Sequence, residues 1–433
     1  MTSAGYRRHE KPSVAYDSQQ RGVTIQPAWT VASVLVGVAV FVRIFVPGNL
    51  LDLFYDYDQL LGGNPLLKIH PGTYGLVLVA GVLTLTRRPN AASMVYIRCA
   101  AWLGGITTIC FVSAIAQGNV GSLGFRVDAE FAAVAALYCL GLLDESEREK
   151  LLVAITAGML LNEVISFGEA ITHSRLLPYK FDFSSGEIVF RPTGLLNHPL
   201  INGLYSCTMI PLVTQLRASP TVRFFLMGVF AVGTFAAESR FATIVSVPTL
   251  AVMFFYMAQA SRNSGLTTSN LRYLQIVLGA VFMPIFVLLI AFGGFGQRIA
   301  SGLFDQSSLA RVDAYSLLAY LTPHELMSGI TPQRLLIFTA MRQDLIIESP
   351  VVMFIFALGL PVAVALMCSI VGILFMLARR AGFAMIVTAV VFFVVAAANN
   401  GLASKVPELT FAIVAIASCR GRVEIPQSPP LPA

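Results

Sequence analysis

LLVAITAGMLLNEVISFGEA, residues 151–170, decides the fold class. A helix that crosses the hydrocarbon core of a bilayer takes about 17–25 mostly apolar residues, and this stretch supplies them with one acid, Glu163, near its middle. Working outward from it, runs of the same kind lie near 28–46, 71–86, 98–117, 129–143, 194–215, 221–237, 241–260, 273–293, 351–377, 382–398 and 403–419. With 151–171 they make twelve. The softest boundary is 237–241, where Glu238-Ser239-Arg240 is the polar break between two long runs. The expected class is all-α: a polytopic integral membrane protein with about 12 transmembrane helices and a long helical external loop between helices 9 and 10.

Composition agrees. Of 433 residues, 56% are apolar and 12% charged, where an average soluble domain carries about 25% charged residues. Mean hydropathy is +0.75. These values exclude an ordinary cytosolic enzyme, a disordered scaffold and a disulfide-built secreted domain. Lys and Arg total 29 against 23 Asp and Glu. In a soluble chain that balance would suggest nucleic acid; in a membrane chain basic residues belong to cytoplasmic loops, and no nucleic-acid partner is expected. Cys99, Cys110, Cys139, Cys207, Cys368 and Cys419 lie in or beside apolar stretches and form no C-x-x-C pair, so they read as small buried hydrophobes.

The basic residues also set the orientation. With the N-terminus inside, seventeen Lys and Arg fall in inner segments and seven in outer segments other than the longest. The bias stays in phase along the chain, which places both termini in the cytoplasm. Residues 1–27 then form a cytoplasmic tail, 28–419 the transmembrane domain, and 420–433 a second cytoplasmic tail. Residues 1–26 are polar and the first apolar run lacks a small-residue cleavage site, so no cleavable signal peptide is expected. Three outer segments exceed turn length: 47–70, 172–193 and 294–350. In the last, SLARVDAYSLLAYL (308–321) and QRLLIFTAMRQDLII (333–347) carry apolar residues at helical spacing. Two or three short amphipathic helices over the outer mouth are expected there.

Charges at membrane depth cost about 2.5–3.5 kcal/mol on the insertion scale, so each one calls for a reason. Glu163 has two readings: a proton or ion pathway, or a carboxyl hydrogen-bonded inside the bundle. No ladder of further acids follows it, which weakens the first. In FRPTGLLNHPLINGLYSC (190–207), Arg191 precedes a helix start with Gly194 and Asn197-His198-Pro199 in the first turns. Free helix N–H groups beside a guanidinium make an anion site; an interfacial anchor is the other reading. Arg240, in a turn of almost no length, faces headgroups or a cavity, or pairs with Glu238. The longest loop adds Arg298, Arg311, Arg334 and Arg342 and no lysine. Arginine suits bidentate oxyanion contacts, so a phosphate-bearing ligand approaching from outside is suggested. A lipid headgroup would suit the same cluster.

Absences narrow the chemistry. There is no P-loop, dinucleotide fingerprint, H-E-x-x-H or G-x-S-x-G, so the energy comes from an activated substrate or a gradient. Asp56-Tyr57-Asp58 has a D-x-D form that suits a divalent cation. Its surroundings, LLDLFYDYDQLL, read as an amphipathic interfacial segment. No metal and no cofactor is expected.

Taken in order, the long external loop after the ninth span, RPTGLLNHPLINGLY, ESRFATIVSVPTLAVMF, and SLARVDAYSLLAYLTPHELMSGI followed by IIESPVVMFIFALGLP resemble the O-antigen ligase/polymerase superfamily over about residues 150–400. Within it the chain looks closest to the Wzy-type polymerases and VpsF-like exopolysaccharide biosynthesis proteins. The resemblance implies a glycosyltransferase on the outer face of the bacterial inner membrane. Its donor is an undecaprenyl- or similar polyprenyl-diphosphate-linked glycan, the lipid diphosphate is the leaving group, and neither metal nor nucleotide takes part. It implies a chain-length regulator and a flippase as partners. Arg191, Arg240, Arg311 and Arg334 are the candidate donor-diphosphate ligands. Ligases of the superfamily carry a histidine just before the tenth helix; this chain has Glu348-Ser349-Pro350 there. The candidate bases are therefore Glu348 and His198, ahead of His324, which lies some 24 residues before Glu348. The missing histidine favours polymerase over ligase. A flippase or transporter is the reading from another class; it expects similar halves or cations lining the bundle interior, and neither is evident.

Overall fold

The computed structural model describes residues 30–55, 57, 64–118, 123–177, 190–196, 198–263, 314–341, 347, 349–399 and 401–419. Among them every regular element is helical. The principal helices are α1 (Val31–Phe45), α2 (Pro71–Thr86), α3 (Met94–Ala116), α4 (Ala132–Leu142), α5 (Glu145–Thr172), α6 (Pro199–Leu212), α7 (Pro220–Ala236), α8 (Arg240–Asn263), α9 (Pro323–Ser328), α10 (Pro332–Met341), α11 (Pro350–Leu358), α12 (Leu360–Ala381), α13 (Phe383–Ala396) and α14 (Glu408–Ala417). Four are long and apolar enough to cross a membrane: α3, α5, α12 and, over Arg240–Gln259, α8; α1, α2, α7, α13 and α14 are shorter and apolar. The protein thus has the build of a membrane protein. The expected span near 273–293, the first part of the long loop (294–313) and the tails at 1–27 and 420–433 lie outside the described residues.

One local rule starts many of these helices. Five begin with a capping side chain followed by proline: His70-Pro71, His198-Pro199, Ser219-Pro220, Thr322-Pro323 and Ser349-Pro350. Each cap accepts a hydrogen bond from a first-turn N–H, and proline at the first helical position loses no bond, because its missing N–H had no partner. Two elements differ from their sequence reading. The run 351–377 is two helices, broken at Gly359, whose φ of 77° is open to glycine. Ser328 to Ile330 fills the break: Ile330 N–H donates to Phe356 O at 2.7 Å, and Gln117 Nε2 donates to Ser328 O. The run 129–143 opens with a π-helical turn, Val127–Phe131, before α4.

The bundle is arranged around α6, which is buried along nearly its whole length and packs on α7, α8 and α13. Apolarity on every side is what a central helix needs. Large apolar side chains such as Leu85, Leu78, Trp102 and Phe255 instead point outward, a surface suited to lipid. α1 and α5 run parallel: Thr30 bonds Glu147, and the Phe45 ring lies against Gly158.

Where α1 ends, a buried ionic cluster ties distant segments. The Asp128 carboxylate accepts from Tyr57 Oη at 2.8 Å, Thr73 Oγ1 at 2.8 Å and the His70 N–H at 2.9 Å. Arg43 Nη2 donates to Asp128 O and Lys405 O, both at 2.7 Å. Lys405 Nζ donates to Tyr57 O at 2.5 Å and Lys68 O at 3.0 Å. At the other end of α1, Arg87 Nη1 lies 2.5 Å from Glu147 Oε2, and that bond raises the Arg87 pKa.

Candidate functional site

The site grows from one face of α5. Asn162, Ser166 and Glu169 recur at helical spacing, with Glu163 alongside, and all four are buried. Buried polar groups need partners, and α6 supplies them. Asn162 Nδ2 donates to Asn202 Oδ1 at 2.7 Å, Asn202 Nδ2 donates to Ser166 Oγ at 3.0 Å, and Ser206 Oγ donates to Glu163 Oε1 at 2.5 Å. Glu163 therefore reads as a carboxyl hydrogen-bonded inside the bundle, the second of its two sequence readings. Gly233 of α7 lies directly against its Oε2.

Above this face runs the chain that leads into α6. Glu169 Oε2 accepts the N–H groups of Thr193 and Gly194 at 2.8 and 2.9 Å, and Asn162 Oδ1 accepts that of Leu195 at 2.8 Å. Gly194 has φ of 56°, and a Cβ there would stand 2.5 Å from Asn162 Oδ1. Only glycine makes this turn. Arg191, at its start, is 8% exposed. Arg175 Nη2 donates to Arg191 O at 3.2 Å while its guanidinium stacks 4.8 Å from the Phe190 ring centre. Two guanidinium-bearing residues thus converge on the end of α5.

His198 caps α6: its Nδ1 accepts the Leu200 N–H at 3.2 Å. A neutral imidazole that accepts at Nδ1 carries its proton on Nε2. His198 is therefore arranged to donate to an oxygen, not to take a proton from one, and Arg191 is near enough to act on it electrostatically. The ESR turn comes to the same helix. Gly203 of α6 meets the Ser239 side chain in close contact, and five residues of helix separate it from His198 by about 7–8 Å of rise. Within that turn Glu238 is buried with φ of 50°. Left-handed backbone at a residue with a Cβ costs about 1–2 kcal/mol and is a mark of functional sites. Arg240 follows, half-buried, as the first residue of α8.

The structure thus brings Arg191 within electrostatic reach of His198 at the start of α6 and sets the turn that precedes Arg240 against Gly203, further along the same helix. It puts His324 and Arg334 elsewhere. His324 is exposed at the start of α9, 3.4 Å from Ser328 Oγ, and α9 packs on α11 and α12. Arg334 Nε lies 3.1 Å from Glu325 Oε1 and its guanidinium 4.8 Å from the Phe338 ring centre. The Thr322 N–H and, after it, Arg334 hold the Glu325 carboxyl below its usual range. Arg311, Glu348, Asp56 and Asp58 lie outside the described residues. Ser349, beside Glu348, is buried and donates to Tyr315 Oη at 3.2 Å. Sequence reading missed Asn162, Ser166, Glu169 and Arg175. The spacing of 162, 166 and 169 on one helical face is a signal that could have found the first three.

Among the described residues no group of three or more His, Cys, Asp or Glu is placed to hold a metal ion. Comparison with protein-family models, curated proteins and solved structures returned no match to this chain.

Proposed function

We propose that the protein is a membrane glycosyltransferase that polymerises polyprenyl-diphosphate-linked oligosaccharide repeat units on the outer face of the bacterial inner membrane. The observation that carries the reading is Arg191 beside His198 at the start of α6, with Arg175 bonded to Arg191 O and the turn before Arg240 packed on Gly203 of the same helix. Cationic and N–H groups fixed around a helix N-terminus suit a diphosphate. In this reading the apolar runs form twelve spans, both termini are cytoplasmic, and 294–350 is the external loop over the site.

The reaction exchanges one bond for another. An acceptor hydroxyl oxygen attacks the anomeric carbon of the donor, the bond from that carbon to the diphosphate oxygen breaks, and the electron pair leaves on the lipid diphosphate. The hydroxyl proton passes to a base. Arg191 and Arg240 stabilise the charge that develops on the leaving oxygens, and His198 Nε2–H donates to the same group. With His198 a donor, Glu348 is the base candidate that remains from the pair ranked first. Arg311 and Arg334 would serve the donor from the loop. Arg334 can do so only by leaving Glu325, at the small cost of a surface ion pair, about 0.2–1 kcal/mol.

The test is the lipid-linked glycan pool of cells lacking the protein, resolved by leaflet. Single repeat units accumulating on the outer leaflet, with long chains absent, support polymerisation, and Arg191→Ala and Arg240→Ala should fail to restore the chains. Finished lipid-linked chains that never reach an acceptor would mark a ligase. Units held on the cytoplasmic leaflet would refute both in favour of a flippase.

A further inference from the structure

The geometry points to Glu169 and Asn162 as positioning residues for Arg191, an inference that rests on the reading of Arg191 as a ligand of the donor diphosphate. Three consecutive backbone N–H groups, those of Thr193, Gly194 and Leu195, all turn towards α5 and end on these two side chains. Successive N–H groups around a left-handed residue form a concave anion nest, and here the Glu169 carboxylate fills it. The other oxygen, Oε1, accepts the Leu176 N–H at 2.9 Å. One carboxylate, 3% exposed, thereby joins the chain just after α5 to the chain just before α6.

Arg191 lies two residues before the first of these bonds, and Arg175 one residue before Leu176. Glu169 therefore sets the spacing of the two arginine-bearing segments from a rigid helix. Asn162, two turns earlier on the same face, adds the third N–H and passes its own amide on to Asn202 of α6. Neither side chain needs to touch the donor. A site held on helices is more precise than one on free loops, and 1 Å of misplacement can cost about 100-fold in rate.

The experiment uses the full chain in proteoliposomes with lipid-diphosphate-linked repeat units extracted from the native host. It reads kcat and KM for chain extension and amide hydrogen exchange at residues 176 and 193–195. Glu169→Ala should lower kcat/KM by about 10- to 100-fold and release protection at all four amides. Glu169→Gln keeps one carbonyl oxygen: it should stay within about threefold of the parent, protect 193 and 194, and expose 176. Combining Glu169→Ala with Arg191→Ala should be no worse than Arg191→Ala alone, because one residue acts through the other. Losses that add in the double variant overturn the inference. So does unchanged protection in Glu169→Ala with full rate, or a lowered KM, which would make Glu169 an occupant the donor must displace. Arg191→Ala with full rate would instead overturn the functional reading itself.

Discussion

Replacing Asp128 tests how the bundle is held together. Its carboxylate takes three hydrogen bonds, from Tyr57, Thr73 and the backbone of His70, and it is 0% exposed. Hydrogen bonds to a charged group contribute about 1.5–3 kcal/mol each, so three set an upper bound of about 4.5–9 kcal/mol. Removing a buried charged group with its partners left in place costs about 3–5 kcal/mol as a whole, because Tyr57, Thr73 and the His70 N–H lose their acceptor. The two figures describe the same event, and the smaller already contains the relaxation that the first omits. Asp128→Ala should therefore cost about 4 kcal/mol. Asp128→Asn, which keeps three partners and loses the charge, should cost about 2 kcal/mol. The assay is thermal unfolding of the purified chain in detergent, followed by loss of the monodisperse peak at one fixed heating rate, since such unfolding is a rate measurement. At about 2 °C per kcal/mol, the Ala variant should fall by about 8 °C and the Asn variant by about half that. An Ala variant that melts with the parent would refute the idea that this cluster carries the junction.

Further predictions follow from single positions. Burial, then Arg43 and Lys405, push the His70 pKa down to about 3, so its neutral form is the folded one. That stability is complete above the ordinary pKa near 6.5 and is lost as pH falls, by about 1.4 kcal/mol per unit, until about pH 3. The parent should lose more stability between pH 6.5 and 4 than His70→Asn, in melting curves compared at each pH. Gly194→Ala places a Cβ on Asn162 Oδ1 at a φ of 56°; it should weaken protection of the Leu195 amide, reduce chain extension and lower the melting point by about 2–4 °C. Gly359→Ala drives a Cβ into Met327 O, so limited proteolysis should cut near 327–330 in the variant and spare the parent.

Much of the scaffold was legible because it rests on local rules. The apolar runs mark several helices closely: the expected 71–86 is α2, and 221–237 differs from α7 by one residue at each end. The break at Gly359 was not, since LGLP sits inside unbroken apolar sequence and its cause is Ser328–Ile330 arriving from another segment. Arg43 hid for the same reason: one basic residue near the end of an apolar run reads as a boundary, and only the carbonyls of residues 128 and 405 give it a purpose. At the site, RPTG and ESR could be picked out as motifs, but the contact of Ser239 with Gly203, on the helix that RPTG leads into, depends on helix packing. Glu169 stayed unread because its partners are backbone N–H groups, which any sequence possesses.

The Asp128 cluster also sets the order in which the chain can mature. Arg43 and Lys405 O are 362 positions apart, so the contact cannot exist until residue 405 has left the ribosome. Until then the outer end of the first helix carries a guanidinium with one of its two carbonyl acceptors missing. A chain that stops short of residue 405 keeps that defect permanently. The segment that leads into α14 thus works as a checkpoint, and chains cut before it should be marked for membrane proteolysis by the very arginine that longer chains bury.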